Sequence, residues 1–314
     1  MKAFEHESVL LNECIDGLKI RENGIYVDGT LGGGGHSLEI AKRLKQGKLI
    51  GIDRDPDAIE AAKERLVSYK SNVAIVNSNY EHMNNIVNKM GYQKVDGILL
   101  DLGVSSFQID EASRGFSYMQ ENARLDMRMD QRNGVDAATI INSYGEDELA
   151  RIFHEYGEER FAFRIAKAIV DKRKHMRLQT AGELNAVIES AIPAKYRHQG
   201  GHPSKRVFQA LRIEVNDELG VLQGCIDGMI DLLFAGGRLC IVTFHSLEDR
   251  IVKQAFRRNE DPCTCPKDLP VCICNKKSKG RVITKKPILP TKGECDRNSR
   301  SRSAKLRIFE KGVL

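Results

Sequence analysis

The sequence predicts an α/β protein: a doubly wound, mainly parallel sheet interrupted by one all-helical insertion. Three observations carry this. Short apolar segments at 24–30, 48–53, 73–77 and 95–101 alternate with helical patterns at 37–46, 56–69 and 82–90, which is the signature of βαβ units. The alternation stops after Asp101-Leu102-Gly103. It resumes at about residue 216.

The first half sets the register of the sheet. Asp55 before Pro56 marks a helix start, with Pro at the first helical position. Residues 108–215 read as helices and loops, among them 146–156, 158–174 and 180–191, and form a predicted insertion. Residues 216–234 then read as an apolar helix stopped by Gly236-Gly237, and 238–244 (RLCIVTF) as a buried strand. The next helix, 246–258, carries Glu248 and Asp249 in its first turn, where they favour the helix dipole. A Cys-, Lys- and Pro-rich excursion, 259–303, precedes a final strand, Ala304–Phe309. The expected organisation is therefore one α/β domain made of 1–107 and 216–314, with 108–215 inserted as a substrate-recognition domain.

Composition narrows the function. The chain has 314 residues and a net charge of +6. No stretch approaches the roughly 18 apolar residues of a membrane span, and Met1–Glu7 has no apolar signal region, so a cytoplasmic location and no membrane partner are expected. Residues from His245 onward carry 18 Lys+Arg against 8 Asp+Glu, and Arg160–Arg212 carries 12 against 3. Two basic zones on an otherwise acidic chain suit a polyanion, although basic tails are often only solvated. Cys14, Cys225 and Cys240 are scattered in apolar segments and read as inert core thiols.

The chemistry begins at Asp28-Gly29-Thr30-Leu31-Gly32-Gly33-Gly34-Gly35-His36, where the first strand meets a helix. Consecutive glycines let a ligand approach the backbone, and the helix start offers free N–H groups. Asp53 closes the second strand 21 residues after Gly32, the usual place for a carboxylate on a ribose diol. A dinucleotide site is disfavoured: counting from Gly32, the last glycine of G-x-G-x-x-G is Ser37, and Asp28 would repel a pyrophosphate. An acid beside the turn suits a cofactor carrying an ammonium and a sulfonium, which is S-adenosylmethionine. Asp101 ends the fourth strand, where a carboxylate can hold an exocyclic amine toward a methyl group. It could equally hold the cofactor or cap the following turn.

The strings GIYVDGTLGGGGHS, IGIDRDPDAI, ILLDLGVSS, YGEERFAFRIAKAI, FQALRIEVNDEL, GGRLCIVTFHSLEDRIVK and SRSAKLRI resemble the bacterial ribosomal RNA small-subunit methyltransferase H family, also called MraW. The resemblance runs from about residue 5 to 310. It implies a Rossmann-like class I methyltransferase fold with a helical insertion. The implied reaction is S-adenosylmethionine-dependent methylation of the N4 amine of a decoding-site cytidine in 16S rRNA, on the small ribosomal subunit. By matching motifs it places cofactor contacts on Gly34, Gly35, His36, Asp53, Tyr80, Asp101 and Gln108; Tyr80 and Gln108 come from the resemblance alone. Oligomeric state stays open, a homodimer included.

N4 of cytosine is a weak nucleophile and the sulfonium a strong electrophile, so alignment outweighs base strength, and no metal or covalent nucleophile is required. Amine methyltransferases commonly carry an acid or amide followed by Pro-Pro and an aromatic at the fourth strand. Here the string is Asp101-Leu102-Gly103-Val104, which leaves the amine acceptor open between Asp101 and backbone carbonyls. Phe244, His245 and Ser246 follow a strand of the same sheet; His245 is a candidate base or a structural helix-start histidine. Arg297, Arg300, Arg302 and Arg307 are candidate phosphate contacts, with Arg114, Arg124 and Arg128 in the insertion. Cys263, Cys265, Cys272 and Cys274 form C-x-C-x6-C-x-C. This set could hold zinc, or the alternation could belong to a two-faced strand.

Two other readings compete. A nucleotide-dependent oxidoreductase would share the architecture, but Asp28 and the missing glycine argue against it. A non-catalytic RNA-binding module would not need the intact acids and glycines.

Overall fold

The computed structural model describes residues 8–132, 134–197, 201–266 and 273–313. Two compact units emerge, Met1–Gly103 with Leu219–Leu314, and Val104–Glu218.

In chain order the first unit opens with α1 (Leu11–Leu18), β1 (Ile25–Asp28), α2 (Gly35–Arg43), β2 (Lys48–Asp53), α3 (Pro56–Arg65), β3 (Val73–Asn77), α4 (Met83–Lys89) and β4 (Val95–Asp101). The second unit contains α5 (Ser106–Asp110), α6 (Ala137–Ser143), α7 (Glu146–Glu155), α8 (Ala162–Arg173), α9 (Ala181–Ala191) and α10 (Lys205–Asn216). The chain then returns through α11 (Glu218–Leu232), β5 (Leu233–Thr243), α12 (Ser246–Glu260), β6 (Gly280–Val282), α13 (Lys292–Arg297) and β7 (Lys305–Lys311).

The seven strands form one sheet in the order β3-β2-β1-β4-β5-β7-β6. β1 to β5 pair in parallel, while β7 runs antiparallel to both β5 and β6. Apolar layers cover both faces, which is why the inner strands read as unbroken apolar runs. Val27, Ile50, Ile52, Ile98, Leu100, Leu239 and Ile241 pack with residues of α4, α11 and α12. Their strand neighbours Tyr26, Leu49, Leu99, Cys240 and Val242 pack on the other side with residues of α1, α2 and α3. This division follows the two-residue alternation of side chains along a strand.

The second unit has its own core. Ala162, Ile165, Ala166 and Ile169 of α8 are buried at the spacing of one helical face. Leu149, Ile152 and Phe153 of α7 and Leu184 and Ile188 of α9 join them.

Three elements differ from the sequence expectation. α1 lies between Leu10 and Lys19, both in left-handed backbone, with no side-chain cap at its start, so no capping signal announces it. β5 begins at Leu233 instead of 238. The expected stop, Gly236-Gly237, lies inside the strand, where Gly236 takes φ of 79° and the register with β4 shifts between Val95 and Gly97. β6, inside the Cys-rich excursion, is three residues long and is held by pairing with β7 and by the Val282 N–H bond to Glu260 of α12; it is too short for a periodic pattern. Among the described residues no helix is long and apolar enough to cross a membrane.

Candidate active site

β1, β2 and β4 end in Asp28, Asp53 and Asp101, neighbouring strand ends on one edge of the sheet. After β1 the chain winds outward to β2 and β3, then returns to lay β4 on the other side. This reversal opens a crevice beyond the strand ends, the usual ligand position in such sheets.

The glycine turn is tied to all three strands. Gly29 N–H donates to the Leu99 carbonyl at 2.9 Å, and Leu31 N–H to the Ile52 carbonyl at 3.0 Å. Gly32 N–H donates to Asp53 Oδ2 at 2.7 Å, while Asp53 Oδ1 accepts the Asp55 N–H at 2.9 Å. The Asp101 N–H donates to Thr30 Oγ1 at 2.6 Å. Asp28 Oδ2 accepts the Ser37 hydroxyl at 2.7 Å, and Oδ1 the Thr30 N–H at 3.2 Å. Gly34 precedes α2 with φ of 77°, where a side chain would be strained. A Cβ on Gly35 would lie 2.0 Å from Ser8 Oγ. The missing side chain at Gly35 thus lets Ser8 pack against the start of α2.

The electrostatics are one-sided. Burial pushes the Asp28 carboxyl up to about 6, against the opposing pull of its Ser37 and Thr30 hydrogen bonds. Burial also raises Asp53. Asp101 rises well above the usual carboxylate range, through burial first and then the charges of Asp28 and Glu248. Its side chain is 23% exposed, yet Oδ1 is a buried oxygen with no hydrogen-bond partner among the described residues. Oδ2 lies 3.7 Å from His36 Nδ1, and His36 Nε2 is 3.1 Å from the Val9 carbonyl. Three partly protonatable acids thus converge on a crevice whose field favours a cation.

Gly34, Gly35, His36, Asp53 and Asp101 are brought together by this turn. Tyr80 opens the short helical turn after β3, and its Cβ would stand 3.2 Å from a Cβ on Gly29, so it lies against the glycine turn. Gln108 belongs to the second unit. There its Oε1 accepts the Ser105 N–H at 2.9 Å and its own N–H donates to Ser105 Oγ at 3.2 Å, a reciprocal cap on α5.

His245 caps α12: its Nδ1 accepts the Glu248 N–H at 3.5 Å, and Glu248 Oε2 accepts the N–H groups of Phe244 and His245 at 2.7 and 3.3 Å. The histidine's position is thus explained by the helix start. Arg297, Arg300 and Arg302 are exposed. Arg307 is a correction. It is 4% exposed, and its guanidinium binds both carboxylate oxygens of Asp249 at 2.6 and 3.1 Å. Alternation in β7 turns it onto the sheet, away from any phosphate. Arg114 is likewise buried, bonded to the Arg128 and Met129 carbonyls. Arg124 and Arg128 pair with Asp136 and Asp126. Cys263, Cys265 and Cys274 converge; Cys272 lies outside the described residues.

Sequence reasoning missed Thr30, Ser37 and Glu248. Thr30 joins the β1 turn to β4, and Ser37 bonds Asp28. From sequence Glu248 reads only as a dipole partner, yet it is buried and adds to the field on Asp101. Thr30 and Ser37 do flank the four glycines, the one available signal.

The MraW methylase family profile matches residues 3–312. The chain is 61% identical over 312 residues to "Ribosomal RNA small subunit methyltransferase H 2" of Agathobacter rectalis, covering 99% of each chain. It is 60% identical to "Ribosomal RNA small subunit methyltransferase H" of Lachnospira eligens (98% of each chain), and 56% identical to the protein of that name from Clostridium botulinum (98% of this chain, 99% of that one). With a match that leaves only the extreme ends uncovered, and near-full-length relatives at this identity, the chain belongs to the MraW methylase family.

Proposed function

We propose that this protein transfers the methyl group of S-adenosylmethionine to the N4 amine of a decoding-site cytidine in 16S rRNA, acting in the cytoplasm. The observation that carries the reading is the Oδ1 of Asp101 at the end of β4, buried without a hydrogen-bond partner among the described residues, with the buried Asp28 and half-buried Asp53 at the neighbouring strand ends. Three carboxylates raised mainly by burial crowd neighbouring strand ends, and a ligand bearing sulfonium and ammonium charges brings positive charge to them. The donor set therefore fits this cofactor. When bound, S-adenosylmethionine supplies a methyl group already activated by the sulfonium.

Asp53 offers a carboxylate to a ribose diol while bracing the turn through Gly32. Gly34, Gly35 and His36 present the start of α2, and Tyr80 offers an aromatic face. Asp28 is a supporting acid. Gln108 keeps its place through the family motif alone. Asp101 accepts a hydrogen bond from the cytosine amine through Oδ1 and so fixes the direction of the nitrogen lone pair. An approaching positive charge favours the ionised form of this raised carboxyl. Its high proton affinity makes it a good acceptor for the proton the methylated amine releases. His245, held as a cap, is not needed for that step.

Exposed Arg297, Arg300 and Arg302 suit phosphates. On α8 the exposed Phe163 stands beside exposed Arg164 and Lys167, a basic face with one aromatic, as suits unstacked RNA. The test is methyl transfer from labelled S-adenosylmethionine to small ribosomal subunits lacking the modification, followed by nucleoside mass spectrometry. N4-methylated cytidine is expected. Label on another nucleoside, or none in protein that binds the cofactor, would refute the reading. Sedimentation decides between monomer and homodimer.

A further inference from the structure

We infer that Cys263, Cys265 and Cys274 form a structural zinc site at the neck of the excursion between α12 and β6. Their sulfur atoms all lie within 4.8 Å of one another, and the Cys263 and Cys274 sulfurs are 3.9 Å apart. A tetrahedral zinc with Zn–S bonds of about 2.3 Å requires sulfurs about 3.8 Å apart. The Cys263–Cys274 separation matches this spacing, and the Cys265 sulfur stands near enough to close on the same ion.

The backbone explains why the thiols meet. The excursion leaves α12 and returns to β6 through a closed neck. Lys279 N–H donates to the Asn259 carbonyl at 2.8 Å, and Val282 N–H to Glu260 Oε1 at 2.8 Å. Cys263 and Cys265 stand just beyond one side of this neck and Cys274 just beyond the other. Asn275 takes φ of 52°, which turns the chain immediately after Cys274.

Packing does not explain the convergence. Every described residue from 261 to 280 is exposed or half-buried, and Ile273 is 72% exposed. Among the described residues no apolar core gathers this segment, and segments poor in buried contacts commonly rely on a metal or a disulfide. Zinc also suits the charge. A zinc trithiolate carries a net negative charge, and Lys276, Lys277 and Lys279 follow the last ligand. The fourth position is filled by water or one further side chain. The site does no chemistry on the substrate: it holds the basic strand-forming segment against the end of α12. It is independent of the proposed methyl transfer.

The test is metal analysis of the full chain, purified reduced and without chelator and then supplemented with zinc. One zinc per chain is expected, with X-ray absorption showing sulfur at about 2.3 Å. Substituting cobalt should give the intense thiolate-to-metal absorption that oxygen or nitrogen ligands lack. Cys263→Ser with Cys274→Ser should lower bound zinc at least about tenfold while the body of the fold keeps its circular dichroism and melting behaviour, because the site lies outside the apolar layers. Trypsin should then cut after Lys276 and Lys277 faster than in the zinc-loaded wild type. Zinc below a tenth of the chain concentration, iron in its place, an isolated disulfide, or zinc content unchanged in the double variant would each overturn the assignment.

Discussion

Replacing Asp28 by Asn should make the protein more stable at neutral pH and a poorer binder of its cofactor. Asp28 is fully buried, and its carboxyl ionises at about 6 in the folded chain against 3.8 ordinarily. The folded state therefore holds the proton more tightly than the unfolded state between these values. The sign follows: this carboxyl's contribution to stability falls as pH rises from about 4 through about 6, then levels off. At 1.36 kcal/mol per pH unit, the full loss is about 3 kcal/mol. About half is already present at pH 5, so roughly 1.4 kcal/mol develops between pH 5 and pH 8. Asn is neutral throughout and does not show this decline. Its amide can still accept the Thr30 N–H and donate to the Ser37 hydroxyl oxygen, so neither partner is orphaned. Removing the Asp28 charge also eases ionisation of Asp101, which acts in the same direction. Urea unfolding of the cofactor-free protein at pH 5 and pH 8 should show the advantage of Asp28→Asn growing by about 1.4 kcal/mol. Calorimetry should show S-adenosylmethionine binding weakened about tenfold, the equivalent of about 1.4 kcal/mol. An advantage that does not grow with pH, or an unchanged dissociation constant, would refute the idea that this acid is kept for its charge at the expense of stability.

Asp101→Ala should lower kcat for methyl transfer to small subunits, read at saturating cofactor, by at least about a hundredfold, and should also weaken cofactor binding; a rate near that of the wild type removes Asp101 from the mechanism. In the wild type, the acidic limb of the kcat/KM profile should lie above the ordinary carboxylate range, because activity requires ionised Asp101 and its carboxyl is raised; a limb near pH 4 contradicts this. Asp53→Ala should weaken cofactor binding by about tenfold or more and also cost about 1–3 kcal/mol of stability, since it strips the Gly32 and Asp55 N–H groups of their acceptor; unfolding and titration on the same variant separate the two. Arg300→Ala with Arg302→Ala should reduce RNA affinity and flatten its salt dependence, whereas Arg307→Ala should cost about 3 kcal/mol of stability, since Asp249 loses its two-oxygen partner and keeps only Lys305 at 3.6 Å; filter binding and thermal melts should give opposite rankings.

Periodicity and punctuation made much of the fold legible. Strands buried on both faces must be apolar throughout, so β1 to β4 stand out as short runs, and Asp55-Pro56 announces α3 because the first helical turn tolerates proline and needs a side-chain acceptor. The same logic fails where the signal is not local: α1 is bounded by left-handed residues that no residue type advertises, and the short β6 is placed by its contacts with β7 and α12. At the site, the sequence by itself determined the glycine turn and the acids at strand ends, because both are local requirements of a strand running into a helix. Tertiary structure alone decided which of these groups share an environment. Burial of Asp28 and Asp101, the reach of Glu248 onto Asp101 and the withdrawal of Arg307 onto Asp249 all depend on residues far apart in the chain. Charge and exposure at a position are properties of its neighbours in space, and a linear pattern names the residue without naming those neighbours.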